Sequence, residues 1–153
     1  MNALTKGLMT IALLAATAAC DGSPTAASAL VSDQDGVSMA KQQQSRLTFS
    51  STQSYEAQAD QTASGAVGAI NFTGSLTTGT PCYNVSATHQ SGSTSVTVTV
   101  TASSSGGFCS QVITYNNYTG SVSNLAAGTY NFTVIHEVGG SRTTAFSGPV
   151  TVQ

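Results

Sequence analysis

The run Leu125-Ala126-Ala127-Gly128-Thr129-Tyr130-Asn131-Phe132-Thr133-Val134 constrains the fold more than any other stretch of the chain. Tyr130, Phe132 and Val134 alternate with Thr129, Asn131 and Thr133, a period of two that buries one face of a β-strand and leaves the other in water. Gly128, just before the strand, can adopt the positive φ of a tight corner. Similar alternation recurs at residues 69–76, at 83–89 and most clearly at 94–102, where Val96, Val98 and Val100 share one face. Residues 112–115 read as a short edge strand, and 118–123 and 144–152 as two more. Gly92, Gly106-Gly107 and Gly139-Gly140 punctuate the series, and Pro149 marks an edge kink. Apolar parity changes between Ile113 and Tyr115 on one side and Tyr118 and Val122 on the other, so Asn116-Asn117 is expected to form a bulge or turn. About seven short strands with frequent turns define an all-β chain folded as an antiparallel β-sandwich.

The approach through Leu125 and Gly128 to Tyr130 resembles the corner before the F strand of immunoglobulin-like sandwiches. That resemblance implies that the Tyr130 hydroxyl ties back to backbone just upstream. Where the family often has a cysteine two residues after the tyrosine, this chain has Phe132, so the family's inter-sheet disulfide cannot form here. Thr80-Pro81-Cys82-Tyr83, Cys109-Ser110-Gln111-Val112 and Val134-Ile135-His136, together with the corner, resemble a group of short bacterial envelope proteins over residues 66–137. The resemblance implies fold and compartment and carries no activity with it.

Residues 1–19 read as an export signal, with Lys6 followed by a short apolar core too brief to span a bilayer. Thr17-Ala18-Ala19-Cys20 resembles a bacterial lipobox, departing from it at Thr17, where leucine is usual; this implies a lipid on Cys20 and a mature chain beginning there. Ordinary cleavage after Ala18 is the alternative, and would leave Cys20 as a free thiol. Residues 20–65 carry no sustained apolar face and are expected to be mostly tether, with a possible short strand at 46–50. The sandwich proper is expected over 66–153.

Three cysteines are an odd set, and lipidation of Cys20 leaves Cys82 and Cys109 as a pair. The strands they flank run antiparallel, so one cysteine opens its strand at the pole where the other strand ends. A disulfide closing that loop is worth about 3.5 kcal/mol on the chain-entropy account.

Only 7% of the residues are charged, and the formal net charge is −2. No basic patch exists, which argues against nucleic acid as a partner. Beyond residue 66 the formal charges are Glu137 and Arg142 and the histidines are His89 and His136. His136 and Glu137 are adjacent on a strand and point to opposite faces, so they cannot act as a pair. His136 shares the parity of Phe132 and Val134 and belongs at the end of the core face, whereas His89 belongs at a solvated rim. Neither a catalytic constellation nor a metal site can be assembled from this set, and no cofactor is expected. Phe108 and Tyr115 are the best candidates for exposed aromatic contact residues. The chain is therefore expected to be a non-enzymatic binding or adhesion module. It would be monomeric, held at the membrane of the bacterial envelope by its N-terminal lipid and facing outside the cytoplasm, with an envelope protein or polysaccharide as partner. A protease inhibitor presenting the disulfide-braced loop 103–109, or a purely structural spacer, is the alternative.

Intact-mass measurement of protein extracted from membranes is expected to give the chain from Cys20 onward plus acyl mass. A soluble product beginning at Ala19 would overturn the lipoprotein reading.

Overall fold

The computed structural model describes residues 44–153. The export signal, Cys20 and the first part of the tether lie outside the described residues. Eight strands follow in order: β1 (Arg46–Ser54), β2 (Thr62–Ala66), β3 (Ala69–Thr78), β4 (Tyr83–Ser91), β5 (Ser95–Ser104), β6 (Thr114–Ser123), β7 (Gly128–Val138) and β8 (Ser141–Val152). They form two four-stranded sheets with orders β1-β6-β3-β2 and β4-β5-β7-β8. The described residues contain no helix.

The inward rows of both sheets meet in one core. Ile70, Phe72, Leu76, Tyr118 and Val122 come from the first sheet, and Val96, Val98, Val100, Phe132, Val134 and Val152 from the second. Phe72 and Phe132 cross the interface with ring centroids 5.6 Å apart, and Phe72 also packs on Tyr118 at 6.2 Å. Gly120 makes this possible, because a Cβ there would fall 2.3 Å from the Phe72 ring.

Several expectations are corrected. The folded region reaches back to Arg46: the possible strand at 46–50 forms the first part of β1, and residues 51–65, expected as tether, continue β1 along β6 and lead into β2, which pairs with β3. Apolar alternation in β1 stops at Phe49, and pairing with β6 alone carries the strand on through Ser51, Thr52 and Gln53. The strands number eight rather than seven. They are not all antiparallel, since β5 and β7 run parallel, the chain having crossed to the other sheet as β6 between them. Residues 112–115 and 118–123 are not two elements. β6 is continuous through Asn116-Asn117, lies between β1 and β3, and keeps register with both. The parity change came from a polar residue in an inward position: Asn116 is buried, donating to the Leu76 carbonyl at 3.0 Å and to the Thr78 hydroxyl at 3.1 Å. The register shift of the sandwich falls instead between Val134 and Ile135, opposite β8.

At the start of β7 the Tyr130 hydroxyl donates to the Ala126 carbonyl at 3.0 Å, backbone just upstream. Two residues of the approach to Tyr130 have positive φ: Asn124 at 63°, and Gly128, as expected, at 157°. Asparagine visits the left-handed region more readily than most residues, and the Asn124 side chain donates across the pole to the Gln44 carbonyl at 3.2 Å. Leu125 N–H closes the same pole on the Gly68 carbonyl at 3.0 Å.

Tyr130→Phe removes one hydroxyl and keeps the buried ring. Urea unfolding is expected to show a loss of about 0.5–1.5 kcal/mol, the net worth of one hydrogen bond. An unchanged midpoint would mean that the corner does not depend on that bond.

Candidate functional site

The pairings place the chain ends and connections at two poles. Gln44, Asn124 and Gln153 lie at the pole where the described chain begins, since Gln44 bonds Asn124 and the Gly68 N–H bonds the Gln153 carbonyl. At the opposite pole Ser54 pairs with Tyr115, Thr78 with Thr114 and Tyr83 with Ser104. That pole therefore gathers residues 55–61, 79–82 and 105–113. Cys82 and Cys109 are disulfide-bonded there, with Cα atoms 6.1 Å apart.

The loop 105–113 is fastened mainly at its two ends. Ser105 N–H donates to the Cys82 carbonyl at 3.0 Å, and the Thr114 hydroxyl to the Val112 carbonyl at 3.1 Å. Between these points the disulfide is its covalent tie to the sandwich. Phe108 is fully exposed, beside the disulfide rather than packed over it. Ile113, Tyr55 and Val112 at the same pole are exposed by 62%, 60% and 44%. Two aromatic and two aliphatic groups thus share one end of the sandwich, where apolar contact would displace water favourably, while Val67 is the exposed large apolar group at the other end.

Tyr115, the other residue expected to be exposed on an edge strand, is half-buried on the outer face of β6, flanked by Ser54 and Thr77. Tyr55 and Ile113 were not foreseen as contact residues. The only sequence signal for Ile113 is its failure to share the inward parity of Tyr118.

Asn117 holds the connection from β1 to β2 that carries Tyr55. Its Oδ1 accepts from the Ala59 N–H and its Nδ2 donates to the Ala57 carbonyl, both at 3.0 Å. This connection has to cross the sheet, because β1 and β2 lie at opposite margins of it. Its end is tied inside by Gln61, whose amide nitrogen donates to the Ser75 carbonyl at 3.0 Å.

Gln61 also joins a polar relay between the sheets. The Tyr118 hydroxyl donates to Gln61 Oε1 at 2.8 Å, and its oxygen lies 2.8 Å from His136 Nε2. The hydroxyl proton is committed to Gln61, so the ring nitrogen of His136 must be the donor to Tyr118. Gly74 leaves the space, since a Cβ there would fall 2.1 Å from Gln61 Oε1. Burial pushes the Tyr118 phenol up to about 12, against a smaller opposing effect of the Gln61 hydrogen bond. Burial likewise holds His136 below the ordinary histidine value. His136 thus stands on the core side as expected. His89 accepts or donates a bond with the Ser45 hydroxyl at 3.0 Å. Glu137 pairs with Arg142 at 3.3 Å on the outer surface. Among the described residues no three His, Cys, Asp or Glu side chains converge.

Compared with known proteins, the chain matches no family model, no curated protein and no solved structure.

The lowered His136 value fixes the sign of a pH effect. In the unfolded chain this histidine titrates near its ordinary value of about 6.5, so below that pH the unfolded state takes up the proton first. The stabilising contribution is complete above about 6.5 and is lost as pH falls toward the folded value. Urea unfolding at pH 8 and pH 5 is expected to show a larger fall in stability for the wild type than for His136→Gln. Equal falls would place the proton-linked group elsewhere.

Proposed function

We propose that the protein is a membrane-tethered, extracytoplasmic binding or adhesion module of the immunoglobulin-like kind, acting without catalysis. It holds an envelope protein or polysaccharide at the disulfide pole. The observation that carries this reading is the fully exposed Phe108 beside the Cys82–Cys109 bond, with Ile113 and Tyr55 at the same pole. Isolated exposed apolar residues need no explanation, but a group of them on a loop fixed by a disulfide matches a preorganised contact surface.

The placement supports the tether as well. A lipid on Cys20 would connect through the segment ending at Gln44, at the pole opposite Phe108. A strand of ten residues spans about 33 Å, so Gln44 and Phe108 stand at well-separated ends of the sandwich. The Tyr130 corner supports the immunoglobulin-like assignment, and the parallel β5–β7 pair marks a strand order different from that family's antiparallel sheets. The bacterial cell envelope is the compartment in which a lipid anchor and a structural disulfide occur together.

The inhibitor reading has less support. A protease cleft takes an extended strand, whereas Gly106 and Gly107, immediately before Phe108, have φ values of 74° and 85°.

The test is binding of the purified protein to isolated envelopes and to a glycan array, with Phe108→Ser/Ile113→Ser as the comparison. Both side chains are exposed, so the variant should keep its stability. Its binding is expected to fall by at least about tenfold, as when central apolar contacts are removed from an interface. Undiminished binding by the variant would sink this assignment of the site.

A further inference from the structure

Charge is unevenly spread over the disulfide pole. Residues 79–82 and 105–113 carry no formal charge, whereas the connection 55–61 carries two carboxylates, Glu56 and Asp60, both exposed. Among the described residues no cation meets either of them. Arg46 opens β1 at the opposite pole, and Arg142 is taken up by Glu137. The backbone that carries the two acids is held in place. The Ser54 hydroxyl accepts from the Glu56 N–H at 3.3 Å and from the Ala57 N–H at 3.2 Å. The Thr73 hydroxyl donates to the Asp60 carbonyl at 3.2 Å, and Asn117 ties Ala57 and Ala59 between them.

This acidic connection starts beside the apolar loop. Gln53, two residues before Tyr55, donates to the Pro81 carbonyl at 2.7 Å, next to Cys82 of the disulfide that ties the loop of Phe108. Ser54 pairs with Tyr115, two residues beyond Ile113. An uncharged apolar centre with a fixed acidic flank results. Protein interfaces are built the same way, with charge depleted at the centre and kept at the rim.

We propose that the disulfide pole takes a basic segment of another protein, which sets apolar side chains against Phe108 and Ile113 and a lysine or arginine against Glu56 and Asp60. This rests on the reading of that pole as the contact surface and adds the chemistry of its occupant. Charge selects the occupant. An acidic polysaccharide or an anionic lipid headgroup brings like charge to the acidic flank, and a neutral sugar brings nothing to neutralise it. Of these classes, a protein segment offers apolar side chains and cations in one chain. Both carboxylates are exposed, so they act at the rim: they speed encounter and reject acidic partners, while the apolar centre holds the complex. Screening over about 8 Å at physiological ionic strength limits their reach, so the partner's cation docks on the flank that carries Tyr55.

Selection of a phage-displayed library of random decapeptides on the full chain tests this without presuming a sequence. Peptides retained by the wild type are expected to be enriched in lysine and arginine beside aromatic or aliphatic residues. Their binding should fall severalfold between about 50 and about 500 mM salt, as screening shortens the reach of the carboxylates. Glu56→Lys/Asp60→Lys should reverse the preference and enrich aspartate and glutamate instead. Both side chains are exposed, so urea unfolding of this variant should match the wild type. Phe108→Ser/Ile113→Ser should abolish retention. Retained peptides without a charge preference, or a preference that Glu56→Lys/Asp60→Lys leaves unchanged, would overturn the basic partner and leave the pole standing as an apolar contact surface. Retention undiminished by Phe108→Ser/Ile113→Ser would instead overturn the pole itself, and this inference with it. A wild type that retains no peptide refutes the proposal, whether or not a glycan or a lipid vesicle binds in its place.

Discussion

Packing of Phe72 against Gly120 is the contact on which the two sheets depend. The ring occupies space that any side chain on β6 would deny it, and from there it reaches Tyr118 in its own sheet and Phe132 in the other. Aromatic rings contribute large buried area, so this column supplies much of the adhesion between sheets whose other inward residues are mainly valines. The same column sets the sheet separation, at which the Tyr118 hydroxyl can meet His136 from the opposite sheet and Gln61 from the sheet margin. A polar relay inside the sandwich is thus a consequence of aromatic packing.

Scarcity of charge shapes the rest of the molecule. With few ions available, most buried polar groups and connections are held by amides and hydroxyls, the buried Ser75 hydroxyl being without a partner among the described residues. Asn116 closes the inner end of β6 on Leu76 and Thr78, while the neighbouring Asn117 turns outward and holds the β1–β2 connection by two backbone groups. Adjacent residues on a strand face opposite sides, so one dipeptide serves the core and the surface at once. The margins show the same economy. Where charged side chains would ordinarily guard an edge, β2 and β8 cover each other with backbone bonds, and Ser45 and Gln53, at either end of β1, reach across to the β4 side.

Function, on the reading proposed, follows from polarity between the two ends of the sandwich. The described chain begins at the pole closed by Leu125, Gly68 and the Tyr130 corner, where Val67 is exposed, and the disulfide pole bears the other exposed large apolar groups, Tyr55, Phe108, Val112 and Ile113. The disulfide holds a loop that has few other ties to the sandwich, which lowers the ordering cost of any contact made through Phe108.

The strands with strict apolar alternation were legible from the chain itself, as were the core valines of β5, the Tyr130 corner and the Cys82–Cys109 pair. Each rests on a local rule: period-two burial, corner geometry, or the short list of available partners. Phe108 was legible as an exposed candidate because glycines isolate it from any apolar pattern. What the tertiary structure alone decided involves pairing between distant segments. Beyond the short run at 46–50, β1 and β2 have too little apolar periodicity to announce themselves and exist because β6 and β3 offer them backbone partners. The parallel β5–β7 pair depends on which side of β5 the returning chain docks, and no local propensity encodes that. Asn116 read as a break in a strand because burial of an amide is tolerable only where the Leu76 carbonyl and Thr78 hydroxyl converge on it, and that convergence is a property of the folded sheets.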